Sequence, residues 1–258
     1  MKQTAKRQWI KALKSAAFFA AYVGVFALVW TVAYKAVKNE YILPSLADIL
    51  RATGRLFTEK FFYSAFWNSF LRVLWVFALS FVCALLCAVI AKLFPLFEKI
   101  LAPIVTALRA LPTMAIILIL LIWSTPKDAP VIVAFLALFP MLYTGIFAAL
   151  STVDEGLVQM CKTYCVPLRK QIFQMYLPAS LPYVLREAAG GISFGLKLIV
   201  SAEILANTYV GIGGMLQLSK IYMETPRMFA LTLLVIAVGL VLEGIGIAIS
   251  QYVERRVK

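Results

Sequence analysis

The chain has no histidine, and that absence removes whole classes of chemistry before any motif is sought. Imidazole is the usual general base and the commonest metal ligand near neutral pH, so a His-based triad, a His-carboxylate metal site and a His-based pH sensor are all excluded. Cysteine is nearly as sparse: the four residues fall as two pairs, Cys83/Cys87 and Cys161/Cys165. Each pair shares a helix face at i,i+4 spacing, but two thiols do not complete a tetrahedral site, so both pairs are read as small apolar fillers with no metal role. A Gly-x4-Gly-Lys-Ser/Thr loop for cradling nucleotide phosphates is also missing, so the chain is not expected to hydrolyse ATP or to be an enzyme. Charge is scarce as well, at 14% of residues, with only 12 acidic side chains among 258 positions.

What is present is apolar. Hydrophobic residues make up 63% of the chain and the mean hydropathy is +0.91. A water-soluble chain of this length has no use for so thick a core, and the bilayer is therefore part of its solvent. The net charge of +13 raises the question of nucleic acid, and the placement of the charges answers it. Lys2, Lys6, Arg7, Lys11 and Lys14 precede one apolar run, and Arg255, Arg256 and Lys258 follow another. That is the positive-inside pattern of a membrane protein, not a phosphate-tracking surface.

Six stretches are long enough to cross about 30 Å of hydrocarbon as helices: Ser15–Tyr34, Val73–Ala91, Ile100–Trp123, Val131–Leu150, Ala188–Asn207 and Met228–Ser250. Helices are required because lipid cannot satisfy free backbone groups. The expected fold is thus an all-α integral membrane protein with six transmembrane helices. Its first span, 15–34, exceeds the apolar core of a signal peptide and is expected to stay as an uncleaved anchor. The expected organisation runs from a cytoplasmic N-terminus (1–14) through that span to an extracytoplasmic segment (35–72). A five-helix core (73–250) and a cytoplasmic C-terminus (251–258) follow. With both termini in the cytoplasm of a bacterial inner membrane, fourteen basic residues fall inside and nine outside, which sets the orientation.

Proline at Pro103, Pro112 and Pro140 is expected to bend the third and fourth spans. In the 35–72 segment, Leu43-Pro44-Ser45 precedes Leu46, Ile49, Leu50, Thr53 and Leu56 at helical spacing, the pattern of a helix lying along the outer membrane surface. The segment Ser151–Leu185 is expected on the cytoplasmic side. There Leu157, Cys161 and Tyr164 share one helical face, Pro167 breaks it, Leu168, Ile172 and Tyr176 resume it, and Leu177-Pro178 with Leu181-Pro182 end it. Two short helices held against the membrane are expected, of the kind a partner's groove could grip.

Arg109, Lys197, Glu203 and Glu243 fall inside expected spans, where a charge costs on the order of 3 kcal/mol unless paired or hydrated. Two readings stand: Arg109 and Lys197 help an anion through a pore, or they pair with Glu203 or Glu243, with Arg109 alternatively snorkelling to the interface.

At the Ser151–Leu185 loop the chain resembles the permease subunits of type I ABC importers, especially the nitrate, sulfonate, taurine and bicarbonate branch, which also includes some pyrimidine and vitamin-precursor transporters. Their loop pattern, E-A-A-x3-G-x9-I-x-L-P, falls on Gln159, Met160, Cys161, Cys165 and Met175, and only Leu177-Pro178 is kept. Other segments match in order: Leu43-Pro44-Ser45, Asn68 to Val73, Pro103 with Leu108 to Pro112, Phe139-Pro140 with Thr144-Gly145, and Ala202 to Leu205 with Gly211-Ile212-Gly213. The resemblance implies the type I permease fold and a cytoplasmic coupling helix whose ATPase contact uses Gln159, Met160, Cys161, Cys165, Leu177 and Pro178. It also implies a second permease copy, an ATPase dimer that uses the ATP and Mg, and an external solute-binding protein. The function so implied is the pathway subunit of an ATP-driven importer for a small anionic or vitamin-precursor-like solute. The alternative is an autonomous transporter driven by an ion gradient, which predicts repeated halves with paired broken helices that the sequence does not show. A membrane scaffold or membrane-embedded enzyme is a further alternative.

Overall fold

The computed structural model describes residue 21 and residues 24–257. The N-terminal basic cluster, most of the first expected span's beginning, and Lys258 lie outside the described residues. Every regular element among those described is helical. The chain divides into two compact units, one of residues 1–59 with 218–231, the other of 60–217 with 232–258.

The smaller unit contains α1 (Gly24–Val37) and α2 (Leu46–Leu56). Pro44 cannot donate a backbone bond, and Ser45 after it caps α2: its Oγ accepts from Asp48 N at 3.1 Å and donates to the Asp48 carboxylate at 2.5 Å. This Ser-x-x-Asp box satisfies one of the orphan donors at the helix start. Ile49 and Leu56 are buried, as the amphipathic pattern requires, but Leu50 is 72% exposed, so the apolar face is narrower than its spacing suggests. Trp30 closes the unit by donating Nε1–H to the Pro44 carbonyl and by an edge-on contact with Phe229.

The larger unit is built on α3 (Lys60–Leu93), α6 (Ala129–Leu150) and α9 (Leu177–Leu205), which pack against one another pairwise. The buried stripe of α3 is mostly small: Ala65, Ser69, Val73, Val76, Ser80, Ala84, Ala88 and Ala91. Small side chains let backbones approach closely, which matters where lipid removes most of the hydrophobic drive for helix association. At the α6–α9 contact the fit is that of knob and hole. A Cβ on Gly191 would sit 2.6 Å from Leu142 Cδ2, so the leucine fills the space the glycine leaves.

Several helices are longer than their expected spans. α3 starts at Lys60 rather than Val73, taking the last turns of the expected 35–72 segment into one helix. α11 (Thr225–Val257) likewise extends past both ends of its apolar core. The expected third span is not one helix: α4 (Pro95–Ala110) and α5 (Thr113–Trp123) meet at a 92° bend. The break lies at Leu111-Pro112, because proline drives the residue before it out of the helical region, and Leu111 is extended at φ −68, ψ 126. Pro103 and Pro140 lie inside α4 and α6. Among the described residues four helices are long and apolar enough to cross a membrane, or five if the bent pair forms one span.

Candidate functional site

Glu203 is the fully buried acid of the larger unit, with 0% of its side chain exposed. An isolated carboxylate there would be very costly, so the chain supplies three donors around it. Arg72 Nη1 reaches Oε1 at 2.6 Å, Ser69 Oγ lies 2.9 and 2.7 Å from the two oxygens, and Gly213 N donates to Oε2 at 3.0 Å. Ser69 in turn accepts from Ile212 N at 2.9 Å, while Arg72 also donates to the Val210 carbonyl at 3.0 Å. The result joins α3, the end of α9 and the start of α10 (Ile212–Ile221).

Local backbone chemistry delivers these groups. α9 ends in a Schellman turn: Asn207 takes the left-handed conformation at φ 50 and Thr208 N returns to the Glu203 carbonyl at 3.1 Å. The chain then reverses, and Thr208 Oγ1 donates to the Pro126 carbonyl at 2.7 Å. The first N–H groups of α10 find partners in Ser69 and Glu203, so a carboxylate and a hydroxyl from other helices cap its positive end. Glycine is required at 213, where a Cβ would collide with Glu203 Cβ and lie 2.6 Å from the Val200 carbonyl. At Gly211 a Cβ would meet the Glu203 carboxylate at 2.6 Å.

This arrangement corrects one of the sequence expectations. Neither Arg109 nor Lys197 is the partner of Glu203; Arg72 is, a residue assigned from sequence to the extracytoplasmic segment. Arg109 is exposed in the last turn of α4, Lys197 is exposed on α9, and Glu243 is half-buried on α11. None of the three forms an ion pair with another described residue. Ser69 and Arg72 were legible only as parts of a matched segment. The signal that could have singled them out is that an in-span glutamate needs a cation, and Arg72 opens a span.

The 151–185 segment folds as α7 (Glu155–Thr163), the short turn α8 (Leu168–Lys170) and a π-helical turn, Gln171–Tyr176, which runs into α9. Gln159 and Met160 are exposed, and Cys161 is buried, its Sγ 3.6 Å from Met175 Sδ. Those two sulfur residues stand where the resemblance pattern has an alanine and an isoleucine. Cys165, standing for the pattern's glycine, takes a left-handed backbone: φ is 49, and Val166 N returns to the Cys161 carbonyl at 2.9 Å to complete a Schellman turn. Gln171 Nε2 donates to the Val166 carbonyl at 2.7 Å and ties the turn to the π-helical stretch.

Of the face expected from Leu157, Cys161 and Tyr164, only Cys161 is buried; Leu157 and Tyr164 are 45% and 76% exposed. One expectation about this segment changes: Leu177-Pro178 and Leu181-Pro182 do not end the helical stretch, since α9 begins at Leu177 and includes both prolines. Pro178 sits in the first turn, where a missing N–H does little harm, and the wider π turn before it carries Leu177 N to the Ile172 carbonyl. Leu177 and Pro178 are both half-buried.

Residues 80–258 match the family of binding-protein-dependent transport system inner membrane components. The taurine transport system permease protein TauC of Escherichia coli (strain K12) is 23% identical over 220 residues, covering 83% of this chain and 80% of that one. A probable ABC transporter permease protein of Brucella abortus (strain 2308) is 22% identical over 219 residues, covering 83% and 87%. The putative aliphatic sulfonates transport permease protein SsuC of Escherichia coli is 30% identical over 119 residues, 44% of each chain. One chain of the crystal structure of an amino acid ABC transporter with histidines superposes with a TM-score of 0.58 at 13% identity, over 76% of this chain and 94% of that one, and so shares its fold. The match spans well over half of the sequence, and the chain belongs to the binding-protein-dependent transport system inner membrane component family, a family of multi-pass membrane permeases.

Proposed function

We propose that this chain is the transmembrane subunit of an ATP-driven importer and that its 151–185 segment is the contact through which a separate ATPase subunit moves it. The observation that carries the reading is the turn at Cys165. Cys165 stands where the family pattern has a glycine, and its backbone is left-handed, the conformation that glycine adopts without strain. A non-glycine residue held there costs about 1–2 kcal/mol, so the shape of the turn matters more than its side chain. Exposed Gln159, Met160 and Leu157 on α7 offer the apolar and polar surface that a partner's groove would grip.

In this reading α1, α3, the bent α4–α5 pair, α6, α9 and α11 are the six crossings, with both termini and the 151–185 segment in the cytoplasm. Two copies sit on an ATPase dimer that binds ATP and Mg, and an external binding protein delivers the solute. The names of the relatives, taurine and aliphatic sulfonate permeases, favour a small sulfonate-like anion. Lys197 and Arg109, both without an ionic partner among the described residues, are the cations that would face such a solute.

The native thiol at Cys165 is exposed and provides the test. A short bifunctional thiol reagent applied to the chain purified from its own membrane should link Cys165 to an ATPase subunit, and Cys165→Ser should abolish the link. Purification without any ATPase subunit, together with uptake in vesicles driven by an ion gradient in the absence of ATP, would instead establish the secondary-transporter alternative.

A further inference from the structure

Within the smaller unit, α2 and residues 224–227 enclose a cleft of about 380 Å³ lined by Asp48, Arg51, Arg55, Glu59, Glu224 and Arg227. The count of charges is balanced, but the count of available hydrogen-bonding groups is not. Asp48 already accepts from Ser45 and from Arg51, the latter at 3.2 Å. Glu59 accepts from Arg227 Nη2 at 2.6 Å, and Glu224 from Arg227 Nη1 at 3.3 Å. All three carboxylates are therefore engaged by cations.

The donors are in surplus. Arg227 uses both terminal nitrogens on those carboxylates, and its Nε–H is buried without an acceptor. Arg55 stands one helical turn beyond Arg51, so the two lie on the same face of α2. Arg55 is exposed and has no carboxylate partner among the described residues. A guanidinium presents five donors in a planar fork that matches the oxygens of a carboxylate, sulfonate or phosphate.

We infer that this cleft binds an oxyanion, held by the Arg55 guanidinium and by the donors that Arg51 does not spend on Asp48. A ligand that only accepts hydrogen bonds completes the cleft, whereas a cation would find its carboxylates already engaged. The same chemistry has two sources, a free sulfonate or phosphate and the headgroup of an anionic lipid.

The experiment uses the full-length protein in nanodiscs of phosphatidylcholine, titrated with methanesulfonate by calorimetry. In a second arm the nanodiscs contain phosphatidylglycerol, and retained lipid is read by native mass spectrometry. The expected result is saturable binding in at least one arm. Arg55→Gln should weaken it by tenfold or more, and Arg51→Gln should weaken it severalfold. Binding of methanesulfonate identifies a free anion, and retention of phosphatidylglycerol alone identifies a headgroup. Absence of binding in both arms overturns the inference, as does binding that Lys197→Gln abolishes and Arg55→Gln leaves unchanged. Arg55 is exposed, so its substitution leaves the fold intact, and an unchanged unfolding temperature checks this.

Discussion

The knot around Glu203 and the 151–185 segment both carry family pattern, yet one keeps its residues and the other keeps only Leu177-Pro178. At the knot both carboxylate oxygens of Glu203 have named donors, and Glu203 is wholly buried. Changing one member strands a charge away from water, so identity is fixed there. In the 151–185 segment Gln159, Met160 and Cys165 are exposed, and a new side chain strands nothing. What the segment has instead is a left-handed residue between two short helices. A buried charge therefore restricts its surroundings, whereas an exposed residue, or a buried apolar one such as Cys161, strands no charge when it changes.

The sharpest way to break the comparison is to remove one partner of the buried pair. Arg72→Ala should destabilise the chain by about 3–5 kcal/mol, because it leaves Glu203 charged and unpaired. The unfolding midpoint in detergent reads this, and an unchanged midpoint would sink the claim that the pair holds α3 to α9. Gly213→Ala comes next, at roughly 1–3 kcal/mol, since the added methyl meets both Glu203 Cβ and the Val200 carbonyl and backbone must shift. Gly191→Ala should do less, because its methyl collides only with the end of the Leu142 side chain and meets Phe77 at an ordinary 3.5 Å. Pairing it with Leu142→Ala should recover part of the loss, and a double-mutant cycle measures that coupling. The smallest effect has the opposite sign. Cys165→Gly should stabilise by about 1 kcal/mol, because glycine adopts φ 49 without the Cβ penalty.

Legibility in the sequence followed the same division. Hydropathy alone marked the helical membrane class, since apolar runs report burial of either kind. The amphipathic α2 and its Ser45 cap were legible because both signals are local. Helix ends were not: α3 begins at Lys60 because Phe62 and Ala65 pack as part of the helix, and no hydropathy window sees packing. The bend at Leu111-Pro112 was legible as a proline but not as a 92° break, because Pro103, Pro140 and Pro182 sit inside helices that continue. Neighbouring contacts decide which prolines a helix absorbs.

The sequence by itself determined the class of this protein: a histidine-free, apolar chain must place helices in lipid, and its ordered motifs tie it to the permeases. Tertiary structure alone decided the partners. Ser69, Arg72, Glu203 and Gly213 are distributed over more than half the chain, and only the packing of α3 against α9 brings them within hydrogen-bonding distance. Composition reports how much charge a membrane chain carries, while the geometry of its helices determines which cation neutralises which acid.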